Sequence, residues 1–377
     1  MPSVINTNVA SLNTQRNLST SQASLNVSIQ RLSTGLRVNS ARDDAAGLAI
    51  AERMNAQVRG LNVAARNAND GVSLAQTAEG ALGKIGEMVQ RVRELGVQSS
   101  NATNNSDDRK ALQLEVAQLK EEIDRVANTT SFNGTKLLDG SFTAAKFQVG
   151  ADAGESITID SIADANIAQL GSVTKATSQS STAISDLGAT AAGDMVINGT
   201  DIGVLAAAGT TQERQAQMVD AINRVSTTTG VSAFFDTTNA KIVLTSSASF
   251  TVAGATAAKT GFDGSEDGTA STVTGMTSLD ISGYSGAQDA ISMADSALKQ
   301  INNARAKLGA IQSRFENAVS NIQIASENTT AARSRIMDTD FAAETANMTR
   351  SQILQQAGNA MLSQANQLPQ QVLSLLR

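Results

Sequence analysis

The chain has 377 residues, a net charge of −6 at neutral pH, and 41% hydrophobic but only 3% aromatic residues. It has no cysteine and no histidine, which excludes disulfides, thiolate or imidazole metal sites, catalytic triads and zinc-protease motifs. The acidic balance argues against nucleic acid as a partner, and no apolar run is long enough for membrane insertion. We expect no cofactor.

A heptad of leucines marks the N-terminal segment. Leu18, Leu25 and Leu32 recur every seven residues, and Ile29 and Leu36 complete the three-and-four spacing that places apolar side chains on one side of a helix. Such a narrow seam cannot bury itself, so we expect this helix to pair with another one.

Two helices and a group of short strands follow along the chain. Apolar residues keep helical spacing over residues 46–99, and a second amphipathic stripe occupies residues 112–126. Asn133-Gly134 then predicts a tight turn, and alternating apolar residues within 147–159 predict short strands.

The composition changes near Ser172 to serine, threonine, alanine and glycine, which indicates a domain boundary. Beyond it, Asn198-Gly199 predicts a hairpin turn, and Thr210 with Glu213 forms a capping pattern before a short helix. Alternation in the next segment predicts two further strands, so this insertion is expected to be an α+β unit.

The helical pattern returns near Ile291 and ends in a second heptad. Its apolar positions are Leu354, Ala357, Met361, Leu368, Val372 and Leu375. The first 42 residues carry only arginine charges, whereas residues 338–376 carry three acids and one arginine. Opposite charges favour pairing of the two ends, within one molecule or between neighbours. The alternative is a pair of solvated helical faces that merely lack lysine.

The fold class predicted from these patterns is mainly α with a smaller α+β part. The N- and C-terminal helices pair as a coiled coil that continues into a helical rod, with an inserted α+β outer domain. The predicted segments are 1–45 for the N-terminal half of the coiled coil, 46–175 for the rod with flanking β-hairpins, 176–284 for the insertion, 285–336 for the returning rod and 337–377 for the C-terminal half of the coiled coil.

Long motifs at both ends resemble those of bacterial flagellins. They are Ile5-Asn6-Thr7-Asn8, the runs 30–37 and 39–48, Phe315-Glu316-Asn317-Ala318, the run 331–340 and the closing run 373–377. In the middle, Val196-Ile197-Asn198-Gly199 looks like the hook-IN element of some flagellins.

The resemblance implies a structural subunit that self-assembles into the bacterial flagellar filament, a helical homopolymer for swimming motility. It implies unfolded export by the flagellar type III system, a secreted, extracellular location, and an export chaperone, hook-associated proteins and cap proteins as partners. By analogy the terminal helices form an inner tube, the rod an outer tube and the insertion the filament surface. Terminal seams that lack sufficient apolar burial are expected to order on assembly.

The segment Gln90–Leu95 resembles the flagellin stretch that an animal Toll-like receptor recognises. The resemblance implies that Arg91 donates to the receptor, Leu95 fills an apolar notch and Glu115 accepts. Gly96 stands where the family often has alanine. The alternative is that these residues serve the axial contact between subunits, and the two roles do not exclude each other.

Two other functions are alternatives to the filament subunit. A hook-filament junction protein would share the terminal coil. An enzyme could be carried in the insertion, although the sequence offers no close carboxylate pair for it.

Two local motifs have simpler explanations than ligand binding or modification. Asp263, Ser265, Asp267 and Gly268 imitate half of an EF-hand loop, but Thr274 stands where the bidentate glutamate belongs, so we expect no calcium site. The Asn-Gly-Thr tripeptides 133–135 and 198–200 match the glycosylation sequon, and the same residues are explained as turns.

Overall fold

The computed structural model describes residues 7–236, 239–254 and 256–375, with side chains of the last helix described as far as Gln367. In these ranges the helices are α1 (Val9–Thr34), α2 (Ala45–Ser99), α3 (Ser106–Thr129), α4 (Thr211–Arg224), α5 (Ser226–Thr229), α6 (Ala257–Thr260), α7 (Tyr284–Met337) and α8 (Phe341–Leu375). The strands are β1 (Ser131–Phe132), β2 (Thr135–Lys136), β3 (Ala145–Gln148), β4 (Ser156–Ile159), β5 (Ser172–Gln179), β6 (Val196–Ile197), β7 (Thr200–Asp201), β8 (Val231–Asp236), β9 (Lys241–Ser246), β10 (Val252–Ala253) and β11 (Ser271–Thr274). The predicted fold class, mainly α with a smaller α+β part, is confirmed.

Helices begin where the sequence supplies capping side chains. The Asn105 side chain accepts from the backbone N–H of Asp108, whose carboxylate accepts in return from the N–H of Asn105, which forms a complete capping box. Thr210 caps α4 by accepting from the N–H of Glu213 at 3.2 Å. The Glu213 carboxylate accepts from Gly209 rather than from Thr210, so the predicted capping box is only half formed.

By the density of its contacts the chain divides into two units. Unit 1 comprises residues 1–70, 147–157 and 315–377, and unit 2 comprises residues 71–146 and 158–314. Each unit contains part of α2 and part of α7. The predicted boundary after residue 175 falls inside β5. The division of the chain into five segments stays a prediction.

Unit 1 contains the two terminal helices, the start of α2 and the end of α7. A small core forms around Phe315, which is fully buried and meets the ring of Phe147 edge-on at a centroid distance of 5.5 Å. Asn67 of α2 donates to the carbonyl of Gln148 at 3.1 Å, which fixes the β3 end against the helix.

The helical part of unit 2 has an aliphatic core between α2 and α7, which run antiparallel to each other. Side chains that are fully buried or nearly so in these two helices and α3 are Leu82, Ile85, Val89, Val92, Leu95, Val116, Ile123, Ala290, Ala294 and Ala297. The helices approach closely at Gly96, where an added Cβ would lie 3.2 Å from both the Ala287 carbonyl oxygen and the Ala290 Cβ. Outside this core, Arg93 pairs with Asp295 at 2.7 Å.

Besides the two-stranded β1–β2 sheet, unit 2 includes two small antiparallel sheets, in the orders β11-β5-β9-β8 and β10-β6-β7. The predicted strands are confirmed, with Ile242 and Leu244 buried on alternate positions of β9. One face of α4, including Met218 and Ile222, covers their shared apolar core. The Asn-Gly turns predicted at 133–134 and 198–199 are also confirmed, since all four residues have positive φ angles between 48° and 80°.

Candidate functional site in the terminal helix pair

The N-terminal helix is delimited by its own capping residues. Asn8 accepts from the N–H of Ser11 at 3.0 Å, and Gly35 ends the helix in a left-handed conformation while donating to the Arg31 carbonyl at 2.9 Å. The chain then pairs with the residues before α8, because the N–H of Arg37 donates to the Met337 carbonyl and that of Thr339 to the Gly35 carbonyl. This short ladder fixes α1 and α8 side by side.

α1 and α8 run antiparallel along the length for which side chains are described. Contacts at the far end join the Asn8 side chain to the Ala365 carbonyl at 2.8 Å and the Ser11 hydroxyl to Asn366 at 2.8 Å. In the middle, Gln355 donates to Gln22. The predicted pairing of the two chain ends is therefore confirmed within one molecule.

Of the five seam residues predicted near the N-terminus, Leu25 is buried and Leu18 and Leu32 are half-buried on α1. Leu36 is half-buried too, but it lies beyond the end of the helix, where it pairs with Asp338 in a β-bridge. Ile29 lies outside the contact and is 48% exposed, because Ser28 turns inward in its place.

On α8, the predicted seam lies mostly outside the buried contact with α1, although Leu354 borders a shallow groove that Val27 and Ser28 of α1 also line. Leu354 is 51% exposed, Met361 is 61% exposed, and Ala357 is exposed as well. The other predicted positions Leu368, Val372 and Leu375 lie beyond the described side chains. Any role of these residues in contacts between subunits stays a prediction.

The face of α8 that covers α1 consists mainly of small and polar residues. Glu344, Ser351 and Ala365 are buried, and Gly358 is half-buried, so these four residues form a heptad of their own. A Cβ added at Gly358 would lie 3.1 Å from Cδ1 of Leu18, which shows how closely the helices approach there. Small residues permit this approach, and they turn the leucine heptad, three residues away, about 60° out of the contact.

Leucine periodicity does not indicate this small-residue heptad, because none of its four residues is a leucine. The repeat of glutamate, serine, glycine and alanine at 344, 351, 358 and 365 is visible in the sequence. Small side chains at heptad spacing mark the helix face on which two backbones can approach closely, and this face need not be the most apolar one.

Charge contributes one specific contact to the helix pair. Arg31 Nη1 lies 3.6 Å from Glu344 Oε2, and the two side chains are only 30% and 9% exposed. Another predicted acid, Asp340, serves α8 itself by accepting from the N–H groups of Ala342 and Ala343. Of the opposite charges at the two ends, Arg31 and Glu344 therefore form a contact between the helices, whereas Asp340 caps its own helix.

Apolar side chains are left exposed on both helices. On α8 a shallow groove is lined by Phe341, Ala342, Thr345, Ala346, Thr349, Arg350, Ile353 and Leu354. On α1 the exposed large apolar residues are Val9, Leu12, Val27 and Ile29. The helix pair thus buries Ser351 and Glu344 beside Leu25, while large apolar side chains such as Ile353 and Met361 are exposed.

The residues matched to receptor recognition lie in unit 2. Arg91 Nε donates to Glu115 Oε1 at 2.7 Å, and its Nη1 donates to Glu94 at 3.0 Å, with both partners exposed. The hydrogen bond to Glu115, followed by that to Glu94, raises the pKa of the Arg91 guanidinium above its ordinary value. Leu95, in contrast, is 0% exposed, so it cannot fill a notch on another protein while this core stays folded.

The EF-hand-like loop uses its carboxylates for its own structure. Glu266 accepts from the N–H groups of Asp263 and Gly264, and Asp267 accepts from the N–H of Val252 at 2.8 Å. Within the described residues there is no group of three or more acidic side chains placed to hold a metal ion. Among the helices of these same ranges, none has a stretch both long and apolar enough to span a membrane.

Comparisons with known proteins agree with this architecture. The family described as bacterial flagellin N-terminal helical region matches residues 5–143, and the bacterial flagellin C-terminal helical region matches residues 291–376. The flagellin hook IN motif matches residues 194–248, which include the Asn198-Gly199 hairpin.

Full-length relatives carry the same name. B-type flagellin of Pseudomonas aeruginosa is 41% identical over 100% of both sequences, and flagellin B of Vibrio anguillarum is 40% identical over 99% of both. The solved structure of FliC from Burkholderia pseudomallei is 27% identical, covers 65% of this chain and 99% of its own, and has a TM-score of 0.39. The chain therefore belongs to the bacterial flagellin family and is a structural subunit of the flagellar filament, not an enzyme.

Proposed function

We propose that this subunit polymerises through the exposed apolar faces of α1 and α8. The observation that carries the proposal is the inverted arrangement of the helix pair, whose contact is lined by residues such as Ser351 and Gly358 while Leu354 and Met361 are exposed. Two helices arranged in this way bury so little apolar surface that their pairing in water alone is only marginally stable. Neighbouring copies would supply the missing contacts, and the ends would become ordered as they join.

The two exposed faces favour an open polymer over a closed ring. The groove that begins at Phe341 on α8 differs from the row of Val9, Leu12 and Ile29 on α1, so the contact between neighbours joins unlike surfaces. Contacts of this heterologous kind extend without limit when the rotation between subunits does not close. This supports a helical filament with the terminal helices inside, as an inner tube.

The layout of the remaining segments is part of the same proposal. Residues 46–175 and 285–336 would form the outer tube, and residues 176–284 would face outward on the extracellular filament. Unfolded export by the flagellar type III system is supported by the covalent make-up of the protein, which has no cysteine and only Pro2 and Pro369. Refolding at the tip then involves no disulfide exchange and no proline isomerisation within residues 3–368. An export chaperone, cap proteins and hook-associated proteins are the partners such a route requires.

A host receptor is a further proposed partner, with a smaller contact than the sequence implies. Arg91 and Glu115 are exposed and already oriented towards each other, so a receptor could meet them as one polar pair. We omit Leu95 from this contact because it is fully buried.

Seeded polymerisation tests the assembly proposal directly. Purified wild-type monomer, added to short filament fragments, should extend them into long fibres seen by electron microscopy. Leu354→Asp and Met361→Asp should each stop this extension, because a carboxylate would have to be buried against a neighbouring copy.

The matched control is Gln356→Asp, which adds the same charge at an exposed polar position of α8. It should extend seeds, and all three variants should keep the wild-type helix content by circular dichroism. Normal fibres from both apolar-face variants would overturn the proposal. So would a control that fails as badly as they do.

A further inference from the structure

We propose that Asn133 is a site of spontaneous deamidation, and that Asn198, in an identical tripeptide, is protected by the fold. Asn-Gly occurs twice in the sequence, both times followed by threonine. The backbones of the two turns are nearly the same, with φ angles of 48° and 80° at Asn133 and Gly134 and of 49° and 78° at Asn198 and Gly199. Local sequence and turn geometry therefore cannot distinguish them.

The reaction requires only water and the protein itself. The backbone nitrogen of Gly134 gives up its proton and attacks Cγ of Asn133, so that an N–H bond breaks and a new N–C bond forms. The bond between Cγ and Nδ2 then breaks, and the leaving NH2 group takes up a proton and departs as ammonia. Water then opens the resulting five-membered succinimide at one of its two carbonyls, which gives aspartate or isoaspartate. Glycine favours the attack because no side chain shields its nitrogen.

The side chains of the two asparagines differ in what holds them. Asn198 donates from Nδ2 to the Thr229 carbonyl at 2.8 Å and accepts through Oδ1 from the Thr251 N–H at 3.0 Å. Both contacts must break before its Cγ can meet the Gly199 nitrogen. Asn133 is exposed, and its side chain has no hydrogen-bond partner among the residues that the structure describes.

The surrounding strands differ in the same direction. Within the described part of the chain, β1 and β2 pair only with each other, through two residue pairs, Ser131 with Lys136 and Phe132 with Thr135. The β6–β7 hairpin is held on its other edge by β10, and Ile197 beside the turn is fully buried in the core. Distorting the turn towards the reactive geometry is therefore easier at Asn133 than at Asn198.

The product would change both the charge and the backbone of the first turn. Each deamidation adds one negative charge to a subunit that already carries a net charge of −6. Isoaspartate also inserts an extra methylene into the backbone, which the two-residue loop between β1 and β2 has no room to absorb without changing register. Subunits would thus acquire a charge variant that accumulates with age.

The test is to incubate purified full-length monomer in mildly alkaline buffer at physiological temperature. Peptides containing each asparagine are then followed by mass spectrometry, with isoaspartate identified by its enzymatic methylation. The Asn133 peptide should convert at least about tenfold faster than the Asn198 peptide, the effect expected from holding the latter by about one net hydrogen bond. The same incubation in denaturant should bring the two rates close together, because the tripeptides are identical.

The variant Asn133→Asp supplies the reference mass and charge of one product, and it tolerates the left-handed backbone that the turn needs. Equal rates at the two sites in the folded protein would overturn the proposal. A folded protein that stays unmodified at Asn133 while the denatured protein reacts would overturn it too, as would faster conversion at Asn198.

Discussion

Two antiparallel helix pairs in this flagellin are built in opposite ways. Between α2 and α7 in unit 2, aliphatic side chains such as Leu82 and Ile85 are fully buried and the charges of Arg93 and Asp295 lie outside. Between α1 and α8 in unit 1, the contact is lined largely by small and polar residues, whereas Leu354 and Met361 are exposed. The first pair buries most of its large apolar side chains within one subunit, whereas the second leaves several of its own exposed.

This contrast between the two helix pairs explains how one polypeptide can fold and still remain able to polymerise. Apolar burial is the main source of stability, so a pair that has used its apolar residues in its own contact has none left for neighbours. The terminal pair sets its register with hydrogen bonds, an ion pair and close approach, and in the proposed assembly the exposed Leu354 and Met361 contact other copies. A polymer subunit is expected to combine a stable folded core with terminal helices whose apolar faces are still exposed.

The largest expected effect comes from truncating a buried side chain in the core between α2 and α7. Leu95→Ala removes a fully buried side chain and should cost about 3 kcal/mol of local stability, through lost burial and the cavity left behind. Native-state hydrogen exchange at α2 amides within residues 82–99 measures this. Val97→Ala, at an exposed position of the same helix, is the control and should change stability by less than about 0.5 kcal/mol. Equal costs for the two variants would show that the core assignment is mistaken.

A smaller effect on the monomer is expected from the matching change in the terminal pair. Leu25→Ala truncates the most buried leucine of the α1 contact, but it faces the small-residue heptad and should cost only about 1–2 kcal/mol. Hydrogen exchange along α1 measures the change, with Leu12→Ala at an exposed α1 position as the control. A cost equal to that of Leu95→Ala would mean that the terminal pair is already a finished core, and the contrast between the pairs would be lost.

The sequence predicted most of the fold because its local signals agree with the tertiary contacts. Asn133-Gly134 and Asn198-Gly199 form the turns that their sequence predicts, and Thr210 caps the short helix that follows it. Apolar periodicity also predicts a seam on α8, and Leu354 and Met361 of that seam are exposed in the monomer. Periodicity indicates every face that is buried, in the subunit or in the polymer, and cannot say which burial comes first.

Glycine substitutions test how closely the two helix backbones approach each other in each pair. Gly96→Ala should destabilise unit 2, because the new Cβ would lie 3.2 Å from the Ala287 carbonyl oxygen, a backbone atom that cannot move away. Gly358→Ala should be nearly neutral, because its 3.1 Å neighbour is the flexible end of Leu18 and alanine favours the helix.

The control for both is Gly309→Ala, where an added Cβ meets nothing within 4 Å. It should stabilise α7 by about 0.5–1 kcal/mol through helix propensity alone. Thermal unfolding followed by circular dichroism ranks the three variants, and the expected order of stability is Gly309→Ala, then Gly358→Ala, then Gly96→Ala. A gain at Gly96 as large as that at Gly309 would show that the α2–α7 contact is looser than described.

The smallest expected effect concerns the turn that leads from the terminal helix α1 into α2. Hydrogen bonds from the Ser40 hydroxyl and the Ser40 and Asn39 backbone N–H groups lower the pKa of Asp43 below its ordinary value of 3.8. Because the folded pKa lies below the unfolded one, the stabilisation is fully present above the ordinary value and is lost as the pH falls through the folded pKa. Asp43→Asn should therefore lower the melting temperature slightly at neutral pH and have no effect in strong acid.

Ser40→Ala removes the largest cause of that shift and should reproduce the same pH dependence. If instead the neutral-pH difference persisted unchanged in strong acid, the carboxylate charge would not be what holds the turn. The stability of this connection would then rest on the backbone geometry of the turn rather than on the charge of Asp43.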